Sequence, residues 1–236
     1  MKTYCISDIH GHIKNLRNFA SVLNDDDKVY VLGDVIDKGE DRWACLTLVM
    51  EDQRFEMIMG NHEYMMYQLL SINEYSPNFV SCYMQWVRYN HGIDTYGPYL
   101  HSPKKVRKKI FEYIENLPLN IPEVTVGNRK FYLVHSLPLG EKQVRMADID
   151  YDDVKISRYV WDREPVDEYL RPYEDKTVIA GHTVVQEYLG DECRPYFHGD
   201  DIKKAAYIDI DGGLAYGLDS SRLIALCLDD LTYELY

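Results

Sequence analysis

The chain has 236 residues, 46% of them hydrophobic and 28% charged, which excludes a wholly disordered polymer and allows one large domain with a sizeable core. A formal net charge of −13 argues against binding driven by neutralisation of a nucleic-acid backbone, although a bound cation would still admit phosphorylated substrates. No apolar run approaches the ~20 residues that span a bilayer, and the N-terminus MKTYCISDIH meets charged residues too early for a secretion signal, so an unprocessed cytoplasmic protein is expected.

The first third repeats one arrangement three times. The short apolar runs TYCI, VYVL and FEMIM read as buried strands. They end at Ser7-Asp8-Ile9-His10-Gly11, at Gly33-Asp34 and at Gly60-Asn61-His62-Glu63. Helical spacing follows each: Ile13, Leu16, Phe19 and Leu23; then Trp43, Leu46 and Met50; then Met65, Leu69 and Ile72. Strands alternating with helices predict β-α-β-α order, and ligands of such sheets bind beyond the carboxyl ends of the strands, where the three polar clusters lie. Residues 75–115, rich in Tyr, Asn, Pro and Lys, read as a helical insertion within a single domain over 1–236. Its basic run Lys104, Lys105, Arg107, Lys108 and Lys109 reads as the solvated side of a helix whose other face carries Val106, Ile110 and Ile114.

A second β-rich half follows. Strands are expected at 131–134, 177–180, 206–208 and 223–228, the first three running into His135-Ser136, Gly181-His182-Thr183 and Asp209-Ile210-Asp211. The acidic stretch from Asp148 to Asp153 reads as an exposed loop. Five scattered cysteines without a CxxC pair (Cys5, Cys45, Cys82, Cys193, Cys227) fit reduced core thiols. Met57, Met59, Met65 and Met66 read as core; His12, His91, His101 and His198 as surface; most of the 21 tyrosines as core and rim packing. Asp209 and Asp211 are equally consistent with a turn and with support of a site.

Asp8, His10, Asp34, Asn61, His135 and His182 all fall at ends of expected strands. Carboxylates, imidazoles and an amide oxygen make an O/N donor set that suits Mn, Fe or Zn, and six donors are too many for one tetrahedral ion. Two ions about 3.5–4 Å apart, sharing a carboxylate, could clamp the attacking and leaving oxygens of a phosphoryl displacement, and a water between them would lose its proton near neutral pH.

In these residues the sequence resembles the calcineurin-like metallophosphoesterase superfamily, within it the serine/threonine phosphoprotein phosphatase family in its small bacterial and phage form. The motifs run in family order: Ser7-Asp8-Ile9-His10-Gly11, Gly33-Asp34-Val35-Ile36-Asp37-Lys38-Gly39, Gly60-Asn61-His62-Glu63, Val134-His135-Ser136, Trp161-Asp162-Arg163 and Gly181-His182-Thr183. The resemblance implies an α+β, four-layer α/β/β/α sandwich of two mixed sheets, and a two-metal phosphomonoesterase that attacks phosphoserine and phosphothreonine in proteins, and phosphotyrosine as a further substrate, with a metal-bridging hydroxide. It implies that Asp8 and His10 bind one ion, that Asn61, His135 and His182 bind the other, and that Asp34 bridges them. His62 would be the general acid oriented by Asp37, with Arg163 gripping the phosphate and Lys38 as a further phosphate contact. The expected partner is a phosphoprotein or phosphopeptide, with neither nucleic acid nor membrane, and the chain is expected to be a monomer.

Ser7 stands where relatives have glycine, Lys38 where they have arginine, and Ser136-Leu137-Pro138 where they have a small residue and glycine. A lysine is a point charge without the bidentate fork, so altered substrate orientation is expected. Two alternatives remain: a symmetrical dinucleoside polyphosphate hydrolase or other small phosphoester hydrolase, and an inactive phosphoprotein-binding scaffold. Glu63 disfavours the dinucleotide reading, since those relatives carry GNHD. Val184 disfavours a broad phosphodiesterase, whose last motif is GHxH.

Overall fold

A computed structural model describes residues 1–146, 155–163, 173 and 175–236. Among the described residues, ten strands form two five-stranded sheets. The first sheet has the order β10-β9-β1-β2-β3, with β1 Thr3–Ile6, β2 Lys28–Val31, β3 Phe55–Met57, β9 Ile224–Cys227 and β10 Tyr233–Leu235. The second has the order β4-β5-β6-β8-β7, with β4 Asn120–Val126, β5 Arg129–Val134, β6 Thr177–Ala180, β7 Tyr196–Phe197 and β8 Tyr207–Asp209. Both are mixed. Strands β1, β2 and β3 run parallel, as do β5, β6 and β8, and antiparallel strands flank each set.

Alternation along the strands builds the layers. Cys5, Leu32, Phe131, Leu133, Ile179, Ile208, Ile224 and Leu226 meet in one buried cluster between the sheets. Ile6, Val29, Val31, Tyr132, Val134, Val178 and Tyr207 face outward into the second cluster, against the helices. The β-α-β-α order appears as α1 Ile13–Ala20, α2 Arg42–Glu51 and α3 Asn61–Leu70. Helix α1 buries Ile13, Leu16 and Phe19; α2 buries Cys45, Leu46 and Val49 and is capped at Asp41, whose carboxylate accepts from the Ala44 N–H. Leu23 and Ile72 lie beyond the ends of α1 and α3.

Between α3 and β4 the chain is helical: α4 Phe79–Tyr83 continues into a π-helical turn, Met84–Tyr89, then α5 Ile93–His101 and α6 Lys104–Glu115. On α6, Ile110 and Ile114 are buried as expected but Val106 is 43% exposed, so the apolar face is one turn shorter than the sequence pattern. The short helices α7 Lys155–Trp161 and α8 Gln186–Leu189 belong to the second half. No helix among the described residues is long and apolar enough to cross a membrane. The stretch from Asp148 to Asp153 lies outside the described residues. All five cysteines are free thiols, but Cys82 and Cys193 are only half-buried and not core. The four methionines are buried as expected. His91 and His101 are exposed, whereas His12 and His198 are half-buried, His198 lying against the rings of Tyr196 and Tyr207.

Candidate metal centre

The carboxyl ends of β1, β2 and β3 meet those of β5, β6 and β8 around one cleft of about 120 Å3, lined by Asp8, His10, Asp34, Asn61, His62 and His182 among others. Every one of these side chains is buried. The backbone is unusual here. Asp8, His10, Asp34, Asp37, Lys38 and His182 all have positive φ, between +44° and +68°. Left-handed residues other than glycine are uncommon and gather where a site over-determines the chain.

Asp34 is the hub. Its Oδ1 accepts from the His62 backbone N–H at 3.0 Å, at the N-terminus of α3, and lies 3.6 Å from His135 Nε2. Its Oδ2 lies 3.4 Å from His10 Nε2 and 3.9 Å from His62 Nε2. Burial alone would raise this carboxyl, but the neighbouring His135, His62 and His10 hold it well below the usual carboxylate range. Gly60 permits the approach: a Cβ there would sit 2.2 Å from Asp34 Oδ1.

The imidazoles are oriented from behind. His10 Nδ1 donates to the Ile36 carbonyl at 3.2 Å, His135 Nδ1 to the Leu32 carbonyl at 2.6 Å, and His182 Nε2 to the Trp161 carbonyl at 3.2 Å. A carbonyl can only accept, so each ring spends one N–H on it, which leaves His10 Nε2 and His135 Nε2 facing the Asp34 carboxylate. Burial lowers the pKa of His10 well below its ordinary value, and burial together with His135 pushes His182 down to about 3. His135 Nε2 faces Asn61 Oδ1 at 3.0 Å. Imidazoles with one nitrogen tied to a backbone carbonyl and the other aimed at carboxylate and amide oxygens have the arrangement of metal ligands.

The ligand atoms fall into two groups sharing one residue: His10, Asp34 and His62, and Asp34, His135 and His182, each within 4.8 Å of one another. Asp8 is slightly apart. Its Oδ1 is 4.0 Å from His10 Nε2, and its Oδ2 accepts from the Ser7 hydroxyl and, at 3.0 Å, from the His182 N–H. Ser7, in the family's glycine position, is thus a partner of Asp8. His62, expected as an acid, stands a little farther from the hub than His10, at 3.9 Å against 3.4 Å; its Nδ1 donates to Asp37 Oδ2 at 2.6 Å. Burial would lower its pKa, but Asp34 and Asp37 outweigh burial and raise it. Lys38 and Arg163 line the cleft mouth, Lys38 Nζ lying 5.5 Å above the Tyr216 ring and Arg163 pairing with Glu187 at 3.2 Å.

A family profile described as Calcineurin-like phosphoesterase matches residues 1–203. The chain belongs to that family. A search of curated proteins by sequence finds no significant match. Among solved structures, one of a protein provisionally described as a diadenosine tetraphosphatase is similar at 15% identity and TM-score 0.59, covering 100% of this chain and 92% of that one. A serine/threonine protein phosphatase from Saccharomyces cerevisiae is similar at 16% identity and TM-score 0.58, covering 100% and 79%. A cold-active protein-tyrosine phosphatase from a psychrophilic Shewanella is similar at 15% identity and TM-score 0.59, covering 99% and 80%. At these identities the likeness is one of fold, and the four-layer sandwich of two mixed sheets agrees with it.

Within this phosphoesterase, sequence reasoning underrated several residues. Glu63 was a mere discriminator; in space it is fully buried and accepts four backbone N–H groups, from Asp34 (2.8 Å), Val35 (2.9 Å), Ile36 (3.3 Å) and Gly60 (3.2 Å). It ties the second motif to the third. Burial and then Asp34 push its carboxyl up to about 7, while the N–H groups act in the opposite sense. Asp211 combines both of its expected readings, capping a turn at the Gly213 N–H (2.8 Å) and lining the cleft. Burial and Asp8 raise its carboxyl well above the usual range. Trp86 and Thr95 reach Asp37 from the helical segment; no local sequence signal marks either contact.

Proposed function

We propose that this chain is a two-metal phosphomonoesterase acting on phosphoserine and phosphothreonine in proteins, and on phosphotyrosine. The observation that carries the reading is the pair of buried donor groups sharing Asp34, with three imidazoles each tied through one nitrogen to a backbone carbonyl. Asp8, His10 and Asp34 would hold one ion, and Asp34, Asn61, His135 and His182 the other; the O/N donors fit Mn, Fe or Zn. When bound, the ions neutralise phosphate charge and acidify a water that can attack phosphorus. The remaining steps belong to the chain. Lys38 and Arg163 receive the phosphate oxygens at the mouth, and among the described residues Arg163 has only an exposed ion pair to give up. The serine alkoxide that leaves needs a proton, which His62 supplies from Nε2 while Asp37 holds Nδ1.

The names of the yeast and Shewanella neighbours support a protein substrate. The provisionally described neighbour keeps dinucleoside polyphosphates as the second reading. Glu63 speaks to this choice only indirectly, because it holds the backbone of residues 34–36 and does not line the cleft. The protein is taken to be a cytoplasmic monomer without nucleic-acid or membrane partners. Rates on a phosphoserine peptide, diadenosine tetraphosphate and bis-p-nitrophenyl phosphate, with and without chelator and in Asp34→Asn, test the proposal. The peptide should be preferred, chelator should abolish turnover, and Asp34→Asn should lose metal and rate together. Preference for the dinucleotide overturns the substrate, and two bound ions with no turnover on any ester favour the inactive scaffold.

A further inference from the structure

Asp37 is fully buried and takes three side-chain donors. His62 Nδ1 and, at 2.8 Å, Trp86 Nε1 both donate to Oδ2, while the Thr95 hydroxyl donates to Oδ1. Trp86 and Thr95 are themselves fully buried and lie 49 and 58 residues along the chain from Asp37, in the helical segment before β4. Trp86 sits in the π-helical turn Met84–Tyr89, a local widening of the kind found at functional sites. Gly92 keeps room for its indole: a Cβ there would lie 2.5 Å from Trp86 Nε1. Arg42 makes a second tie, donating to the Lys38 carbonyl and to Asp94 on α5.

A carboxylate turns easily about its last side-chain bond, because that torsion is broad and two-fold. One partner, the His62 Nδ1–H, would leave it free to rock. Donors from two further points, one on each oxygen, fix its plane. We infer that Trp86 and Thr95 are positioning residues that lock the Asp37 carboxylate so that it aims the His62 imidazole at the leaving oxygen. The helical segment over residues 75–115 thereby takes part in the site through the rear of the dyad. This rests on the proposed role of His62 as proton donor.

The signature is dependence on the leaving group. A phosphoserine alkoxide needs the proton, whereas 2,4-dinitrophenolate leaves without one. In Trp86→Phe and Thr95→Val, kcat on a phosphoserine peptide should fall about 10- to 100-fold, as for a catalytic group misplaced by a fraction of an ångström to an ångström. KM, metal stoichiometry and kcat on 2,4-dinitrophenyl phosphate should stay within about twofold, since none of the ligands or phosphate contacts moves. Thr95→Ser, which keeps the hydroxyl, should recover most of what Thr95→Val loses. A readout apart from turnover is the downfield Nδ1–H proton of His62 in zinc-loaded protein, assigned by its loss in His62→Asn; it should move upfield and broaden in both variants. Equal losses on both substrates, or unchanged kcat and an unchanged Nδ1–H signal, overturn the inference. If His62→Asn itself shows no leaving-group dependence, the proton-donor reading fails. If that control behaves and the two variants do not, the positioning role alone is refuted. Should Trp86→Phe fail to fold, the Thr95 pair decides the matter.

Discussion

Asp37→Asn is the sharpest perturbation of the proposed acid, because the structure dictates how an amide would sit there. An amide nitrogen in place of Oδ2 would face two donors, His62 Nδ1–H and Trp86 Nε1–H. In place of Oδ1 it faces only the Thr95 hydroxyl, which can rotate to accept. The variant should therefore adopt the second orientation and keep every contact, losing about 1 kcal/mol, or about 2–4 °C in Tm for a chain of this size. What it loses is charge. A hydrogen bond to a charged group contributes ~1.5–3 kcal/mol against ~0.5–1.5 for a neutral one, so protonated His62 is destabilised by about 1–2 kcal/mol. At 1.36 kcal/mol per decade this lowers kcat on a phosphoserine peptide about 5- to 30-fold. The direction with pH follows: Asp34 and Asp37 raise the His62 pKa against burial, so removing one carboxylate lowers it and moves the alkaline limb of the pH–rate profile to lower pH. Thermal melts beside pH–rate profiles test both halves. A melt lowered by more than about 8 °C shows that the amide does not fit as argued. An unchanged kcat with an unmoved alkaline limb shows that Asp37 does not act on His62.

Three further outcomes are expected. Glu63→Ala leaves four buried N–H groups without their acceptor and, after relief of repulsion with Asp34, should cost about 3–6 kcal/mol and lower Tm by about 6–24 °C; a melt within 3 °C or so refutes the loop-holding role. Lys38→Arg supplies the planar fork that Lys38 lacks and should change KM or kcat for phosphopeptides, so identical constants would show that Lys38 does not contact the phosphate. His182, held down to about 3 when folded against an ordinary value near 6.5, binds fewer protons folded than unfolded between those values. The stability that His182 itself contributes to the chelated protein, read as the difference from His182→Ala, should thus be lost as pH falls below about 6.5, and the ring should show no NMR titration above about pH 4.

The strand ends that frame the cleft were legible because short apolar runs ending in Asp, His or Asn carry both the period and the chemistry in one stretch of chain. Strands β4, β7 and β10 lie outside the expected runs. In β4 the outward residues Glu123 and Thr125 and an interior proline hide the apolar pattern, and β10 has no buried residue at all, being an exposed edge. The donor set was legible as a list, but its polarity was not: the direction in which each imidazole donates is fixed by the carbonyls of Leu32 and Ile36, in the loop after β2, and of Trp161, at the end of α7. Trp86 and Thr95 were invisible for the same reason, since their link to Asp37 exists only once the helical segment folds back over α3.

The donor groups come from both sheets: Asp8, His10, Asp34 and Asn61 follow strands of the first, His135 and His182 strands of the second. The last hairpin, β9–β10, then crosses back to pair with β1. A chain severed between β5 and β6 would leave His182 on one fragment and its five fellow donors on the other, each with half a sandwich. Neither piece could turn over substrate by itself, and recovery on mixing would follow the second-order rejoining of the halves, making activity a direct clock for sandwich assembly.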